Sequence, residues 1–477
     1  MIPSLHEFNF VPWILKQLLW EDRGPKPSLP PGFIHYGNPA ALDGPAGLPP
    51  GTLSRLVIRP ARPDAFQTLL QRPVRSLHWL PASRVFPPRA ALPFSDPVPV
   101  LFWGDGYEDG TKPFAEWRED GTVVFHADIL AAALFMLSRW EETAVPTRDA
   151  HGRFPAEASV ACRQGFLDRP IVDEYALILH AWLKTLLPEW KPPARQFSIK
   201  LSHDIDSLQC YPNVNRVFRV LAGDLLKRRN WRLAWKTVVE SIHALINPQT
   251  DPHLQGIELL AHLSEIHGFQ SAFYFMGARR SAMDIGYDPA SPIAQSCLAD
   301  LRRRGHEIGF HAGYYTFEDP ERFAEEKARL TQSLGNGRLG GRQHYLRFRA
   351  PDTWRIWEKN GMAYDSTLSY AEQEGYRCGT CHPFQPYDLV HNRPLDILEI
   401  PLIIMDGALR QYRKLTPEEG EQRILTLAQR CKNVNGAFTL LWHNTSLAGD
   451  WREWGEMYRR VLPQLARLRD EGDSCAS

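Results

Sequence analysis

Two carboxylates one residue apart, Asp204 and Asp206, close the segment Phe197-Ser-Ile-Lys-Leu-Ser-His-Asp-Ile-Asp206. Phe197, Ile199 and Leu201 alternate ahead of them, as on one face of a strand. Acids at the carboxyl end of a parallel strand stand where α/β folds bind ligands. One can hold a divalent cation while the other takes a proton from the water that the cation polarises. The same pair also fits a cap on a helix or turn after the strand. What weighs against the cap is the company downstream. His311 ends Gly305-His-Glu-Ile-Gly-Phe-His311, and Arg342, His344 and Arg347 lie within Arg342-Gln-His-Tyr-Leu-Arg-Phe-Arg349. Asp365 follows in Ala363-Tyr-Asp-Ser-Thr, Glu399 in Leu398-Glu-Ile-Pro401, and His443 ends Leu440-Leu-Trp-His443. A lone His usually meets a backbone carbonyl and a lone Arg a surface ion pair. Such residues at one strand end after another point instead to a site.

Positioning them requires a scaffold that gathers strand ends. Helices are expected at 254–267, 292–304, 320–334, 351–361 and 416–431, with a last one from 450. Strands are expected at 270–277, 305–315, 342–349, 363–370, 397–405 and 437–443. This alternation means βα units around a parallel sheet, closing into a (β/α) barrel. No fixed-period repeat interrupts it. Upstream, residues 1–120 are dense in Pro, Gly and aromatics, as in Pro49-Pro50-Gly51, and read as short strands between turns. A helical pattern begins at Asp128 and runs through Phe135 and Trp140 to Glu142. A second helix over 170–187 is opened by Pro170. Pro188, Pro192 and Pro193 mark a linker. The reading is therefore an α+β domain over 1–190, of no assigned role, and a barrel over 191–477. Within the barrel, residues 210–250 form an insertion carrying Arg216, Arg219, Lys227, Arg228, Arg229, Arg232 and Lys236 among Leu, Trp and Phe. Such a basic amphipathic segment suits a membrane surface, an anionic substrate such as a nucleotide- or phosphate-linked sugar, or a solvated face.

The chain has 477 residues, too many for one compact core. Apolar residues make up 43% and charged residues 23%, as in a globular protein. Lys plus Arg and Asp plus Glu both total 55, which argues against an electrostatic nucleic-acid or polybasic membrane partner for the chain as a whole but says nothing about local patches. No apolar run reaches the roughly 18 to 20 residues of a membrane span. The start, Met-Ile-Pro-Ser-Leu-His-Glu7, lacks a basic opening and an apolar core, so the cytoplasm is the expected location. Seven scattered cysteines fit a reducing compartment. Cys378-Gly-Thr-Cys381-His382 matches the haem-attachment pattern and half of a zinc motif. No second cysteine pair completes a zinc site, and haem attachment needs an exported chain, which leaves a loop with two small buried thiols.

Residues 196–470 resemble a NodB-type polysaccharide deacetylase (carbohydrate esterase family 4). The resemblance rests on Ser202-His-Asp-Ile-Asp206, Gly305-His-Glu-Ile-Gly-Phe-His311, Arg349-Ala-Pro351 and Leu441-Trp-His443. Further stretches, among them Arg342-Gln-His-Tyr-Leu-Arg347, Tyr364-Asp-Ser-Thr-Leu368, Cys378-Gly-Thr-Cys381 and Leu137-Ser-Arg-Trp-Glu-Glu142, are similar to the WbmS-like bacterial branch of surface-polysaccharide and O-antigen biosynthesis. The resemblance implies a distorted (β/α) barrel and hydrolysis of an N-acetyl group on an amino sugar or glycan, nucleotide- or lipid-linked. It implies Asp204 as general base, Asp206 and His311 as metal ligands, and His443 as general acid. Arg349 is the positional match for the arginine beside the base, with Arg342 and Arg347 as competitors. Arg347, Asp365 and Trp442 are the expected substrate contacts.

One position departs from the family. Four residues after His311 the family places a second histidine, and this chain has Tyr315. A catalytic zinc normally has three protein ligands. His344 is expected to supply the third, with Tyr315 as the other candidate. Zn fits this donor set, and Co, Ni or Fe would accept it. The rival to a hydrolase is a silent glycan- or nucleotide-sugar-binding module on the same scaffold. A hydrolase acting on another C–N bond is a further alternative.

Overall fold

The structure, a computed structural model, describes residues 9–21, 29–38, 56–104, 112–278, 281–334 and 337–473. The Pro49-Pro50-Gly51 turn and the Met1–Glu7 start lie outside these residues.

Eight strands make the main sheet: β1 (Ser198–Ile205), β2 (Ala272–Met276), β3 (Glu307–Ala312), β4 (Gly341–Gln343), β5 (Tyr364–Asp365), β6 (Leu398–Glu399), β7 (Ile404–Met405) and β8 (Ala437–Leu441). Their order is β6-β5-β4-β3-β2-β1-β8-β7, and every pairing is parallel. The two edge strands are neighbours in the chain. Ile400 N–H donates to Asp365 O on one side, at 2.8 Å, and Ile403 N–H to Thr439 O on the other, at 3.2 Å. One segment thus spans both edges and curls the sheet into a distorted barrel. The single strand expected over 397–405 is split because Pro401 has no N–H to give a ladder.

The strand expected over 342–349 is also short, ending at Gln343. Tyr345 and Leu346 adopt left-handed backbone, with φ 62° and 53°, and turn the chain away from the sheet. Gly341 permits the close approach of β4 to β3, since a Cβ there would collide with Phe310 O.

Upstream of the barrel, segments Ile34–Tyr36, Leu56–Ile58, Val123–Phe125 and Ala115–Trp117 form a small sheet, parallel except for its last pair. Short strands were expected over 1–120, yet Val11–Leu18 and Ala65–Gln71 are helices. Their apolar sides, with Ile14, Leu18, Phe66 and Leu69 buried, outweigh the turn-rich composition around them. Helix Ile129–Leu137 is buried at every residue. It ends at Arg139, whose left-handed backbone (φ 54°) swings the guanidinium into the protein. There it pairs with Glu141 at 2.7 Å and Glu142 at 2.8 Å. Glu142 also meets Arg377 at 2.7 Å, across from the barrel segment. The Leu137–Glu142 stretch is therefore a joint between the first 190 residues and the barrel.

The Cys378–His382 loop belongs to the same joint. Both thiols are free and buried, and Cys381 N–H donates to Asp173 at 2.8 Å. One apolar core runs through both parts, from Ile14, Phe135 and Ile178 to Phe273, Trp354 and Leu462. After Asp206 the chain leaves the barrel as a helical hairpin, α1 (Val214–Ala222) and α2 (Trp231–Ile246). Among the described residues no helix is long and apolar enough to cross a membrane.

Candidate active site and metal centre

Asp204 near the end of β1 and Asp206 immediately after it, two apart, fall on the same side of the chain. Both open into a cleft of ≈ 400 Å³ at the carboxyl end of the sheet, which His311, His344 and His443 also line. Asp206, His311 and His344 each offer one donor atom, all within 4.8 Å of one another. His311 Nε2 lies 3.0 Å and His344 Nε2 3.5 Å from Asp206 Oδ1.

The other nitrogen of each ring is engaged. His311 Nδ1 lies 3.0 Å from Arg342 O, and His344 Nδ1 lies 2.7 Å from Asp284 Oδ1. A carbonyl only accepts, so His311 Nδ1 carries the hydrogen. That arrangement aims both Nε2 atoms at Asp206, as for imidazoles that ligate a metal. One carboxylate oxygen and two oriented imidazoles are a donor set that would suit a catalytic divalent cation. Burial alone would raise the Asp206 carboxyl. The imidazoles of His344, His311 and His443 outweigh it and hold the group well below the ordinary carboxylate range.

Asp204 sits beside this cluster, its Oδ1 accepting from Arg342 Nη1 at 2.7 Å. Arg342 is fully buried inside the barrel, where it also donates to Ser366 O at 2.7 Å and Ser202 Oγ at 3.0 Å. Asp204 Oδ2 lies 3.8 Å from His311 Nδ1. Across the cleft, His443 Nδ1 meets Asp406 Oδ1 at 2.7 Å, and its Nε2 faces Asp206 Oδ2 at 3.8 Å. Burial opposes charge on His443, but Asp406, with Asp206 and Asp204 behind it, pushes it up to about 10. The cleft therefore brings a carboxylate to one side of a metal-competent cluster and an imidazole paired with Asp406 to the other.

The structure does not bring every expected residue here. Arg349 is half exposed and pairs with Glu318 at 3.2 Å, away from Asp204. Arg347 is clamped between the rings of Tyr314 and Phe317, each 4.0 Å away, and donates to His151 O. Both lie beyond the left-handed turn at 345–346, which carries them out of the strand direction. Asp365 is buried beneath the rim, accepting from Thr367 N at 3.0 Å, and burial pushes it up to about 7. Trp442, just past β8, is buried and stacks on Tyr458 at 4.6 Å, away from the residues that line the cleft. Tyr315 is exposed under Arg322 and outside the cleft. None of these side chains lines the site.

Three residues that do build it were not anticipated. Asp406 follows the apolar run ending at Met405, a strand-end signal of the kind that marked Asp204. Asp284 lies in a loop with no such pattern. Arg153 comes from the first 190 residues, lines the cleft, and donates to Tyr345 O at 3.0 Å and Asp149 Oδ2 at 2.7 Å. Only folding brings it 192 residues along the chain to the turn beside His344.

A family model described as "Family of unknown function (DUF7033)" matches residues 82–188, the segment holding the Leu137–Glu142 joint. No curated protein matches the sequence. Among solved structures, a Mycobacterium smegmatis protein described as a polysaccharide deacetylase shares 14% identity at a TM-score of 0.38, covering 60% of this chain and 93% of its own. Two mutants of a CE4 family pseudoenzyme, one with restored enzymatic activity, each share 10% identity at 0.28, covering 59% of this chain and 65% of theirs.

Proposed function

We propose that this chain is a metal-dependent hydrolase that removes an N-acetyl, or another small N-acyl, group from an amino sugar during assembly of a surface glycan. The observation that carries the reading is the joint placement in one cleft of the Asp206, His311 and His344 cluster, a carboxylate fixed by a buried arginine, and an imidazole paired with Asp406. The sequence motifs that resemble the deacetylase family supply the substrate class.

A divalent cation, Zn first, held by Asp206, His311 and His344, would polarise the acyl carbonyl and lower the pKa of a water. Asp204 then acts as general base, its Oδ2 taking the proton of the attacking water while Arg342 keeps Oδ1 in place. His443 returns a proton to the departing nitrogen, and Asp406 fixes the ring so that Nε2 faces the cleft. The leaving amine is thereby expelled neutral, which amide hydrolysis needs. The reading assigns the work to the cytoplasm and the catalytic groups to the 191–477 barrel.

Elemental analysis of protein purified without chelator, beside release of acetate from N-acetylated amino sugars, free and nucleotide- or lipid-linked, tests it. About one equivalent of metal is expected in the wild type and in Tyr315→Phe, with loss in His344→Ala. Acetate release should vanish in Asp204→Asn with the metal retained. No metal in any variant after reconstitution would overturn the hydrolase and leave the binding module.

A further inference from the structure

We infer that the α1–α2 hairpin, residues 213–247, is a docking surface for an anionic lipid bilayer. Both helices carry their large apolar side chains outward. On α2, Trp231, Trp235, Val239, Ile242 and Ile246 recur every three or four residues and make one stripe. All five are exposed, Trp231 by 70%, Trp235 by 68% and Ile246 by 78%. The opposite side of the same helix buries Ala234, Thr237, Ser241 and Ala244. A helix that hides its small and polar side while showing its tryptophans to solvent is inverted relative to an ordinary surface helix. On α1, Val214 and Phe218 continue the pattern, and Leu225 and Leu226 extend it through the bend.

Charge selects the occupant. The hairpin holds the seven basic residues from Arg216 to Lys236 against two acids, in a chain whose formal net charge is zero. One acid, Asp224, is buried and spent inside, accepting from Arg228 at 2.8 Å and Thr237 at 2.6 Å. The other, Glu240, pairs with Lys236 at 3.3 Å. Apolar stripes edged with Trp and flanked by Arg and Lys are what inserts at a headgroup boundary, where anionic lipid meets the cations and the acyl region takes the rings. A second copy of this chain would bring the same positive charge against itself.

The root of the hairpin is anchored by hydrogen bonds close to the cleft. It leaves the barrel directly after Asp206 and is closed by Asp251, whose carboxylate accepts from Cys210 N at 2.8 Å and Tyr211 N at 2.9 Å. Asn444, next to His443, donates to Ser207 O at 3.0 Å and His253 O at 3.1 Å. Membrane contact through the hairpin therefore sets the cleft end of the sheet near the bilayer.

Co-sedimentation of the full chain with vesicles tests this, comparing pure phosphatidylcholine with phosphatidylcholine containing about one-third phosphatidylglycerol. Binding is expected only to the anionic vesicles, falling in high salt. Trp231→Ser with Trp235→Ser should weaken it at least about tenfold, and each of Arg229→Ala and Arg232→Ala about fivefold. Circular dichroism and metal content should stay at wild-type values, since none of these residues belongs to the cleft. The inference is overturned if the wild type ignores anionic vesicles, or if the double Trp variant binds them equally. It is also overturned if that variant turns a dimer into a monomer by light scattering, which would give the stripe to a second copy.

Discussion

His443 and Asp406 set the acidic side of the proposed chemistry. In the metal-free protein the His443 ring is expected to titrate near 10 by NMR, because Asp406 outweighs burial. Asp406→Asn should bring it down, and loading a cation onto Asp206 should lower it as well by neutralising a neighbouring carboxylate. Stability follows with a definite sign. The folded-state value lies above the ordinary 6.5, so the contribution is whole below about pH 6.5 and fades as pH climbs toward 10. His443→Gln should flatten the loss of thermal midpoint between pH 7 and 10; an unchanged slope would assign that loss to other groups. The two arginines separate as clearly. Arg342→Met strands Asp204 as an unpaired buried charge and is expected to cost about 3–5 kcal/mol in urea unfolding, with turnover lost. Arg349→Met removes a half-exposed pair with Glu318 and should change stability by less than about 1 kcal/mol, with turnover intact. Equal losses in both would return Arg349 to the site.

The turn at 344–346 decides which elements reach the cleft. It gives the chain His344 as a ligand candidate and throws Arg347 and Arg349 outward, and no glycine advertises it: the left-handed residues are Tyr345 and Leu346. Alternation made Asp204, Asp206, His311 and His443 legible as strand-end residues, because a strand states its faces in the sequence. A turn held by tertiary contacts states nothing locally, so Arg349 looked like the partner of the base and Arg342 only a competitor. What holds the turn is Arg153, through Tyr345 O, and Asp284, through the His344 ring. Removing such outer partners commonly costs about 10–100-fold in metal affinity. Asp284→Asn and Arg153→Met are each expected in that range by competition titration with a chromophoric chelator. Arg153→Lys should recover part of it, since one ammonium can still reach a carbonyl. Wild-type affinity in both variants would show that the turn holds itself.

At the scale of the molecule, the barrel depends on the residues that precede it. The shared apolar core and the Arg139–Glu142–Arg377 cluster join them, with both ends of each pair buried. The repeated strand and helix pattern announced the barrel because each βα unit is local. The joint was visible only as the unexplained Leu137-Ser-Arg-Trp-Glu-Glu142, since its partners lie 235 residues away. Burial would raise the Glu142 carboxyl, but Arg377 and Arg139 bring it down to about 2. With the folded value below the ordinary 4.5, its contribution is present above about pH 4.5 and is lost as pH falls toward 2. Glu142→Gln leaves two buried guanidinium groups without their shared carboxylate and should cost about 3–5 kcal/mol at pH 7. The same variant should lose less stability than the wild type between pH 5 and pH 3, because the proton that breaks the joint has no carboxylate to occupy. If the segments behaved as independent bodies, urea unfolding of Glu142→Gln would split into two transitions, one of them unmoved. A single transition shifted as a whole is the outcome expected of one continuous core, and it would tie the Asp206, His311 and His344 cluster in the barrel to a joint built from the other end of the chain.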